Sequence, residues 1–318
     1  MWHALTSSPA ERRAVCDAIR FVLGDGPTDP REQALLELTA ELLGGRLEPR
    51  VHDGPEALAA ALPPPLRERA LQSAMLATLM DEVVSPDEDL RVQALARAFA
   101  LDEPRLRALH HVAHQRQALA FLDLARRSFA RDAFEDALAR GGPGKLWKIV
   151  GPLVGLAGDP ELAQRYIGLG ALPAGSLGRA YFEFVTRNRL SFPGEHRAVP
   201  EAGVWHDLTH VLAGYGTSDE EEILVVSFIA GYRRDDPFFW LFTIVLQYHL
   251  GIRVSPYSPR KTGLFRPRAA QAAYERGTHV TIDLERWDPW PHFHRPLAEL
   301  RREFGVPPRT DANETDPP

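Results

Sequence analysis

Apolar residues recur at intervals of three and four along most of the chain, and this spacing constrains the fold more than any other feature. On an α-helix such intervals place apolar side chains on one face, whereas a half-buried strand needs strict alternation of apolar and polar residues. Residues 279–284 (HVTIDL) alternate in this way, but they stand alone. A single strand cannot form a sheet. The sequence therefore predicts an all-α protein.

The first third of the chain shows the helical pattern most clearly. Predicted helices span residues 9–23, 30–43, 65–80, 86–100 and 103–139, the last with a break or bend. Ser85, followed by Pro86 and Glu88, has the pattern of a capping box, which marks a helix start. The run Leu-Pro-Pro-Pro at residues 62–65 cannot continue a helix and predicts a turn.

A change in composition divides the chain into two predicted helical domains. With 318 residues and 44% hydrophobic residues, the chain is long enough for two ordinary globular domains. A glycine-rich break at residues 139–147 ends the first helical run, and aromatic side chains become frequent after it. The predicted domains are residues 1–140 and 141–308. Residues 309–318 are polar and rich in proline, which predicts a disordered tail.

Charge and cysteine content exclude several classes of protein. A net charge of −6 argues against a nucleic-acid-binding protein, which normally presents a basic face. Cys16 is the single cysteine, so a disulfide framework and a thiolate zinc ribbon are excluded. Residues 1–9 lack the pattern of a signal peptide, which indicates a cytoplasmic protein. The most apolar stretch, residues 237–251, is shorter than the ~18 residues expected of a membrane span.

Residues 204–223, VWHDLTHVLAGYGTSDEEEI, contain the strongest candidate for chemistry. His206 and His210 are four residues apart, so on a helix their imidazoles share a face and can chelate one divalent ion. Asp207 lies one position round and can either bind the same ion or orient a histidine. Gly214 and Gly216 are typical of a helix end. The alternative interpretation is a polar helix end without a metal.

The glutamates that follow differ in their predicted roles. Ser218 is a candidate N-cap, and Glu221, three residues later, has the capping-box position. Glu220 is a first-turn surface acid, favoured there by the helix dipole. Glu222 begins a row of apolar residues that should face inwards. Helical spacing favours Glu222 as a ligand only mildly, because residues 223–230 are apolar almost all round.

The spacing of these residues resembles the signature of a known family: His-Asp-x-x-His at residues 206–210, then an eleven-residue gap, then Glu222. It is the family of coenzyme Q (ubiquinone) biosynthesis protein four, here called Coq-four. The intervening VLAGYGTSDEE and residues 273–308 are also similar to that family, and the resemblance covers residues 146–308. Two features depart from the family: the N-terminal helical region, and Glu221, where the family often has glycine.

The resemblance implies an all-helical domain with a divalent metal held by His206, Asp207, His210 and Glu222. Zinc is the expected ion, with iron and magnesium as alternatives. The resemblance also implies an apolar pocket for a polyprenylated benzoquinone-ring precursor, whose ring carboxyl group is removed oxidatively and replaced by hydroxyl. Other ubiquinone-biosynthesis proteins and the inner face of a membrane are the implied partners, and the oligomeric state is left open. The alternative is a non-catalytic lipid-binding scaffold with a structural metal.

Two segments in the N-terminal part, residues 23–44 and 79–101, each combine a helix end, an acidic turn, a proline-containing cap and an amphipathic helix. This pattern resembles the TerB-like (tellurite resistance) helical domain over residues 10–120. The resemblance implies a metal at the acidic turns, whose candidate ligands are Asp25, Asp29, Asp81 and Asp87. The residues themselves favour N-caps and solvated turns.

Two further histidine patterns allow other interpretations. The His-Asp doublet also fits an HD-type phosphohydrolase, with His196 and Asp235 or Asp236 as further ligands. His110, His111 and His114 are interpreted as surface histidines, because no acidic residue follows at a suitable distance.

The aromatic run at residues 236–250 is interpreted as a buried core helix, with a wall of the lipid pocket as the alternative. Four basic residues near it are interpreted as solvated or paired, with lipid phosphate as the alternative ligand: Arg233, Arg234, Arg260 and Lys261.

Overall fold

The computed structural model describes residues 8–24, 29–125, 158–196, 198–233, 235–252 and 261–309. In these ranges the protein is all-helical, which confirms the predicted fold class. The β pairing found there is limited to two isolated bridges, Ser176–Pro296 and Leu250–Thr262. Residues 279–284, which alternate in sequence, form neither a strand nor a helix.

Fourteen α-helices lie in the described ranges, and they are numbered here in chain order. They are α1 (Pro9–Val22), α2 (Pro30–Leu42), α3 (Pro55–Ala61), α4 (Pro64–Ala77), α5 (Pro86–Phe99), α6 (Leu106–Ala113), α7 (Gln117–Ala125), α8 (Pro160–Gly168), α9 (Leu177–Arg187), α10 (Val204–Ala213), α11 (Asp219–Tyr232), α12 (Pro237–Tyr248), α13 (Pro267–Thr278) and α14 (Leu297–Glu303).

Local capping explains why several helix starts were predictable. Ser8, Asp29 and Ser85 each accept a hydrogen bond from a backbone N–H of the first turn, and each is followed by proline at the first helical position. At all three starts a glutamate three residues on reaches back to the cap, which completes a capping box. These bonds satisfy N–H groups that a helix start leaves without a partner.

One predicted feature and one unpredicted helix have local causes. The break predicted within the long helix that starts near residue 103 lies at residues 114–116, where Gln115 has a left-handed φ of 56° that no α-helix continues. The short helix α3 was not predicted, since seven residues give too little periodicity to recognise. The predicted domain boundary at residues 139–147 and residues 310–318 of the predicted tail lie outside the described ranges.

The described residues group into two compact units. The first compact unit comprises residues 8–125 and Asp235–Glu275, and its core is formed by the buried apolar faces of α1, α4, α5 and α12. The second compact unit comprises residues 158–233 and Arg276–Arg309, with α10 and α11 at its centre. None of the helices in the described ranges combines the length and apolarity needed to cross a membrane.

Candidate metal centre

Helices α10 and α11, which pack against each other, carry the predicted ligands. The first of these helices ends at Gly214, whose φ of 80° lies in the left-handed region that favours glycine. The chain then turns through residues 215–217, and Ser218 caps the next helix. Three ligand candidates on α10 are thereby placed beside the first turn of α11.

The structure brings His206, His210 and Glu222 together. Nε2 of His210 lies 3.3 Å from Oε1 of Glu222, and Nε2 of His206 lies 3.8 Å from Oε2 of the same carboxylate. The two imidazole centroids are 4.9 Å apart. One ligand atom from each of the three residues lies within 4.8 Å of the others, which is close enough for all three to bind one ion.

Asp207 occupies a different position from the other three. Its Oδ1 lies 3.8 Å from Nδ1 of His206, the ring nitrogen that does not face Glu222. It is not a member of the group whose ligand atoms converge. Of the two roles that the sequence left open, this position fits a carboxylate that orients His206.

Burial differs sharply between the two histidines. The side chain of His210 is 1% exposed and packs against the ring of Phe184, whereas that of His206 is 31% exposed. Nδ1 of His210 is buried and makes no hydrogen bond within the described structure. The centre is therefore anchored on the buried side by His210 and opens to solvent beside His206.

Charge at the centre favours an ionised carboxylate. Burial acts to raise the pKa of Glu222, but the hydrogen bond from His210 and the charges of the two histidines outweigh burial and lower it. For His206, burial acts to lower the pKa, and the neighbouring Asp207 and Glu222 outweigh it and raise the pKa. Two imidazoles and an ionised carboxylate form a donor set that suits zinc and related divalent ions.

Three arginines hold the C-terminal end of α10. Arg301 donates from Nε to the carbonyl of Leu212 at 2.8 Å, and Arg276 donates from Nη2 to that of Ala213 at 3.0 Å. Arg309 donates from Nη1 to the carbonyl of Gly214 at 3.2 Å. The last carbonyls of a helix have no partner within it, so these bonds fix the end of the helix that carries the histidines.

Glu221 and Glu222 have separate roles in the structure. The Oγ of Ser218 accepts a bond from the N–H of Glu221 at 3.3 Å, which confirms the predicted N-cap. The Glu221 carboxylate does not complete a capping box; it accepts from the N–H of Gly216 at 2.7 Å and pairs with Arg309. Glu222 is thus the glutamate that faces the histidines, as the sequence weakly favoured.

A second cluster contradicts the interpretation of His110 and His111 as simple surface residues. Nδ1 of His110 lies 2.7 Å from Oδ2 of Asp89, and Nε2 of His111 lies 3.3 Å from Oδ2 of Asp123. Asp89 precedes His110 in the sequence by 21 residues, so a pattern of acidic residues that follow the histidines does not include it. One signal was present: Asp89 stands at helical spacing with Val92, Ala96 and Phe99, all of which are buried.

The acidic turns of the TerB-like region behave as caps where they are described. Asp29 caps α2 and pairs with Arg31, and Oδ1 of Asp81 accepts from the N–H of Val83 at 3.0 Å. Asp87 is exposed in the first turn of α5, and Asp25 lies outside the described residues. Within the described ranges, none of Asp29, Asp81 and Asp87 belongs to a group that would hold a metal.

The aspartates required by an HD-type centre are not part of the His206 cluster. Asp236 accepts from the N–H of Phe239 at the start of α12 and pairs with Arg105 at 2.5 Å. Among the described residues, the acidic donor of the His206 cluster is Glu222, and neither Asp235 nor Asp236 belongs to that cluster.

The aromatic run forms α12, which is buried along most of its length, with Phe238 and Phe242 almost fully enclosed. This confirms the interpretation of residues 236–250 as a buried core helix. Beside Leu241 lies an apolar cavity of about 20 Å³, which is far too small for a polyprenyl chain. Arg233 pairs with Glu285, and Arg234 and Arg260 lie outside the described residues.

No family model matches the chain, and no curated protein matches it with significant sequence similarity. The resemblances to the Coq-four family and to TerB-like domains therefore remain predictions from the quoted motifs.

Proposed function

We propose that this protein binds one divalent cation at His206, His210 and Glu222 and uses it in ubiquinone biosynthesis. The observation that supports cation binding is the convergence of these side chains across an eleven-residue gap. Both Nε2 atoms face one carboxylate. The assignment to ubiquinone biosynthesis rests on the resemblance of the same residues to the Coq-four signature.

Zinc is the proposed ion, and the nitrogen-rich donor set makes iron a better alternative than magnesium, which prefers oxygen ligands. With Asp207 on the far nitrogen of His206, three protein donors leave a coordination position open, as catalytic zinc sites require. If Asp207 instead binds the ion, four protein ligands fill the coordination shell and no position is left for water. The number of coordinated waters therefore distinguishes a catalytic centre from a structural one.

The proposed substrate is a polyprenylated benzoquinone-ring precursor that carries a ring carboxyl group. A bound cation would supply Lewis-acid polarisation of the carboxylate or phenolate oxygen of the substrate. Loss of the carboxyl group as carbon dioxide and its replacement by hydroxyl is a two-electron oxidation; with dioxygen as the proposed oxidant and water as the source of the hydroxyl oxygen, hydrogen peroxide is the second product. His206, on the exposed side of the centre, is the protein ligand nearest to the direction from which a ring would approach.

The lipid, the site of action and the partners are proposed from the same resemblance. The polyprenyl tail would occupy an apolar pocket near the centre, and the protein would work in the cytoplasm on the inner face of the membrane. Other enzymes of ubiquinone biosynthesis are the proposed partners.

A second candidate function is a non-catalytic, lipid-binding scaffold in which the cation is structural. The near-complete burial of His210 favours this alternative, because a cation bound to an enclosed side chain would add its binding free energy to the stability of the fold. A structural cation predicts that chelation lowers the unfolding temperature and that precursors copurify unchanged.

Native mass spectrometry of the full chain with extracted membrane lipids tests the proposal. We expect His210→Ala to lose one equivalent of metal per chain, whereas His196→Ala, an exposed histidine required only by the HD-type alternative, loses none. An unchanged metal content in His210→Ala contradicts the ligand assignment. Incubation of the wild type with a prenylated ring-carboxylate precursor and dioxygen separates the two functions, because only the enzyme releases carbon dioxide.

A further inference from the structure

We propose that Asp89, His110 and His114 form a second divalent-cation site, in the first compact unit. One ligand atom from each residue lies within 4.8 Å of the others. Asp89 lies in the first turns of α5, while His110 on α6 and His114 at its end are four residues apart and share a face. Nothing in the proposed ubiquinone chemistry uses these residues.

The strongest indication is the environment of the Asp89 carboxylate. Its side chain is 2% exposed, and its hydrogen-bond partners in the described structure are the side chains of Gln93 and His110. Neither Arg, Lys nor a backbone N–H contacts its oxygens there. Burying a carboxylate is costly unless its charge is compensated, and a metal ion bound at Asp89 would supply that compensation.

Asp17 provides an internal comparison, because it is also buried and also contacts a histidine. Its carboxylate is compensated by Arg20 at 3.1 Å and accepts the backbone N–H groups of Val51 and His52, each at 3.0 Å. Asp17 therefore has a complete structural role without any ion. Asp89 has no such set of partners, although the two aspartates are equally enclosed.

The second histidine distinguishes a metal site from a simple ion pair. An ion pair with Asp89 needs one histidine, whereas this cluster holds two: the ring centroid of His114 lies 4.3 Å from that of His110. Two imidazoles four residues apart on one helical face can bind one divalent ion together with a carboxylate. Gln93 donates from Nε2 to Oδ1 at 3.0 Å and to Oδ2 at 2.9 Å, which orients the carboxylate.

Two imidazoles and one carboxylate select the class of ion. Calcium and magnesium prefer all-oxygen sites, whereas zinc and neighbouring first-row divalent ions take mixed nitrogen and oxygen donors. His114 is exposed and His110 is half-buried, so an ion can enter from solvent. Three protein ligands leave at least one position for water.

Titration with Zn²⁺ alone, in competition with a chromophoric chelator, tests this site in the full chain. A His210→Ala background removes the first centre, so the result does not depend on the proposed function. We expect this background to bind one Zn²⁺, and addition of His114→Ala or Asp89→Asn to weaken that binding by about 100-fold or more. His111→Ala, on the same helix but outside the cluster, is the matched control and should bind as the background does.

Two results would overturn the proposal. One is a His210→Ala background that binds no Zn²⁺ while its far-UV circular dichroism matches that of the wild type. The other is unchanged affinity after His114→Ala. Because His114 is exposed, its loss should leave the fold intact, and a cooperative thermal transition equal to that of the background verifies this.

Discussion

Arg309 donates two hydrogen bonds to the carboxylate of Glu221, from Nη2 to Oε1 at 2.6 Å and from Nη1 to Oε2 at 2.8 Å. The same guanidinium donates to the carbonyl of Gly214. One side chain therefore ties the end of α10 to the first turn of α11, the two elements that carry the proposed ligands. Paired bonds of this kind fix geometry as well as supplying energy.

We expect Arg309→Ala to weaken metal binding at the His206 centre by about 10-fold, the lower end of the effect of residues that orient ligands. Without the arginine, the distance between His210 and Glu222 is less tightly held. Chelator competition measures the affinity, and Arg302→Ala, an exposed arginine of α14, is the control. Equal affinities in the two variants would show that the Arg309 bonds do not position the ligands.

The adjacent glutamates allow a matched comparison. We expect Glu222→Gln to lower the metal affinity by about 100-fold or more, the upper end of the effect of residues that orient ligands or beyond it. The substitution removes the only negative donor of the converging group. Glu221→Gln should lower the metal affinity no more than Arg309→Ala does, since Glu221 only helps to hold the turn between α10 and α11 through its bonds to Gly216 and Arg309. The same titration reads both variants, and a larger loss in Glu221→Gln than in Glu222→Gln would reverse the assignment.

His249 is a buried histidine held in its neutral form. It is 0% exposed, its Nε2 donates to the carbonyl of Met80 at 2.9 Å, and its Nδ1 accepts from the N–H of Phe265 at 3.2 Å. Burial lowers its pKa; the charges of Arg31 and Arg266 act in the same direction, and the Met80 bond and Glu82 oppose them. Protonation at Nδ1 would remove the acceptor for Phe265.

This arrangement predicts acid-sensitive stability. Because the folded pKa lies below the ordinary value of 6.5, the unfolded chain takes up the proton first as the pH falls. The free energy of unfolding should be constant with respect to this group above about pH 7.5 and should decrease below about pH 6.5, by at most about 1.4 kcal/mol per pH unit. Urea denaturation at several pH values measures the slope. His249→Gln keeps a donor for Met80 and should have a smaller slope; identical slopes would assign the effect to other groups.

Gly277 lies where α13 approaches the backbone of α11. A Cβ at this position would come within 2.0 Å of the carbonyl oxygen of Phe228, and backbone cannot move aside as a side chain can. We expect Gly277→Ala to destabilise the protein by about 1–3 kcal/mol, the range of overpacking substitutions. Chemical denaturation measures the loss. Gly168→Ala, with nothing within 4 Å of its added Cβ, should be neutral or stabilising, and equal losses in both variants would show that the approach to Phe228 is not the cause.

Local chemistry explains which features were predictable from the sequence. The starts of α1, α2 and α5 were correct because Ser or Asp followed by Pro acts on N–H groups within three residues. The shared face of His206 and His210 follows from the helical repeat alone. The predicted capping box at Glu221 was correct for the bond from its N–H to Ser218 and wrong for its carboxylate. That carboxylate bonds to Gly216 and to Arg309, which is distant in sequence.

The sequence by itself determined the helical fold, the capped starts and the pair of histidines on one face of α10, since each depends on neighbours a few residues away. Only the tertiary structure decided that Glu222 faces those histidines, that Asp207 lies on the far side of His206, and that Asp89 meets His110. These contacts depend on how helices pack. Packing is driven by apolar burial, which has no preferred direction and leaves no local signature of the partner it selects.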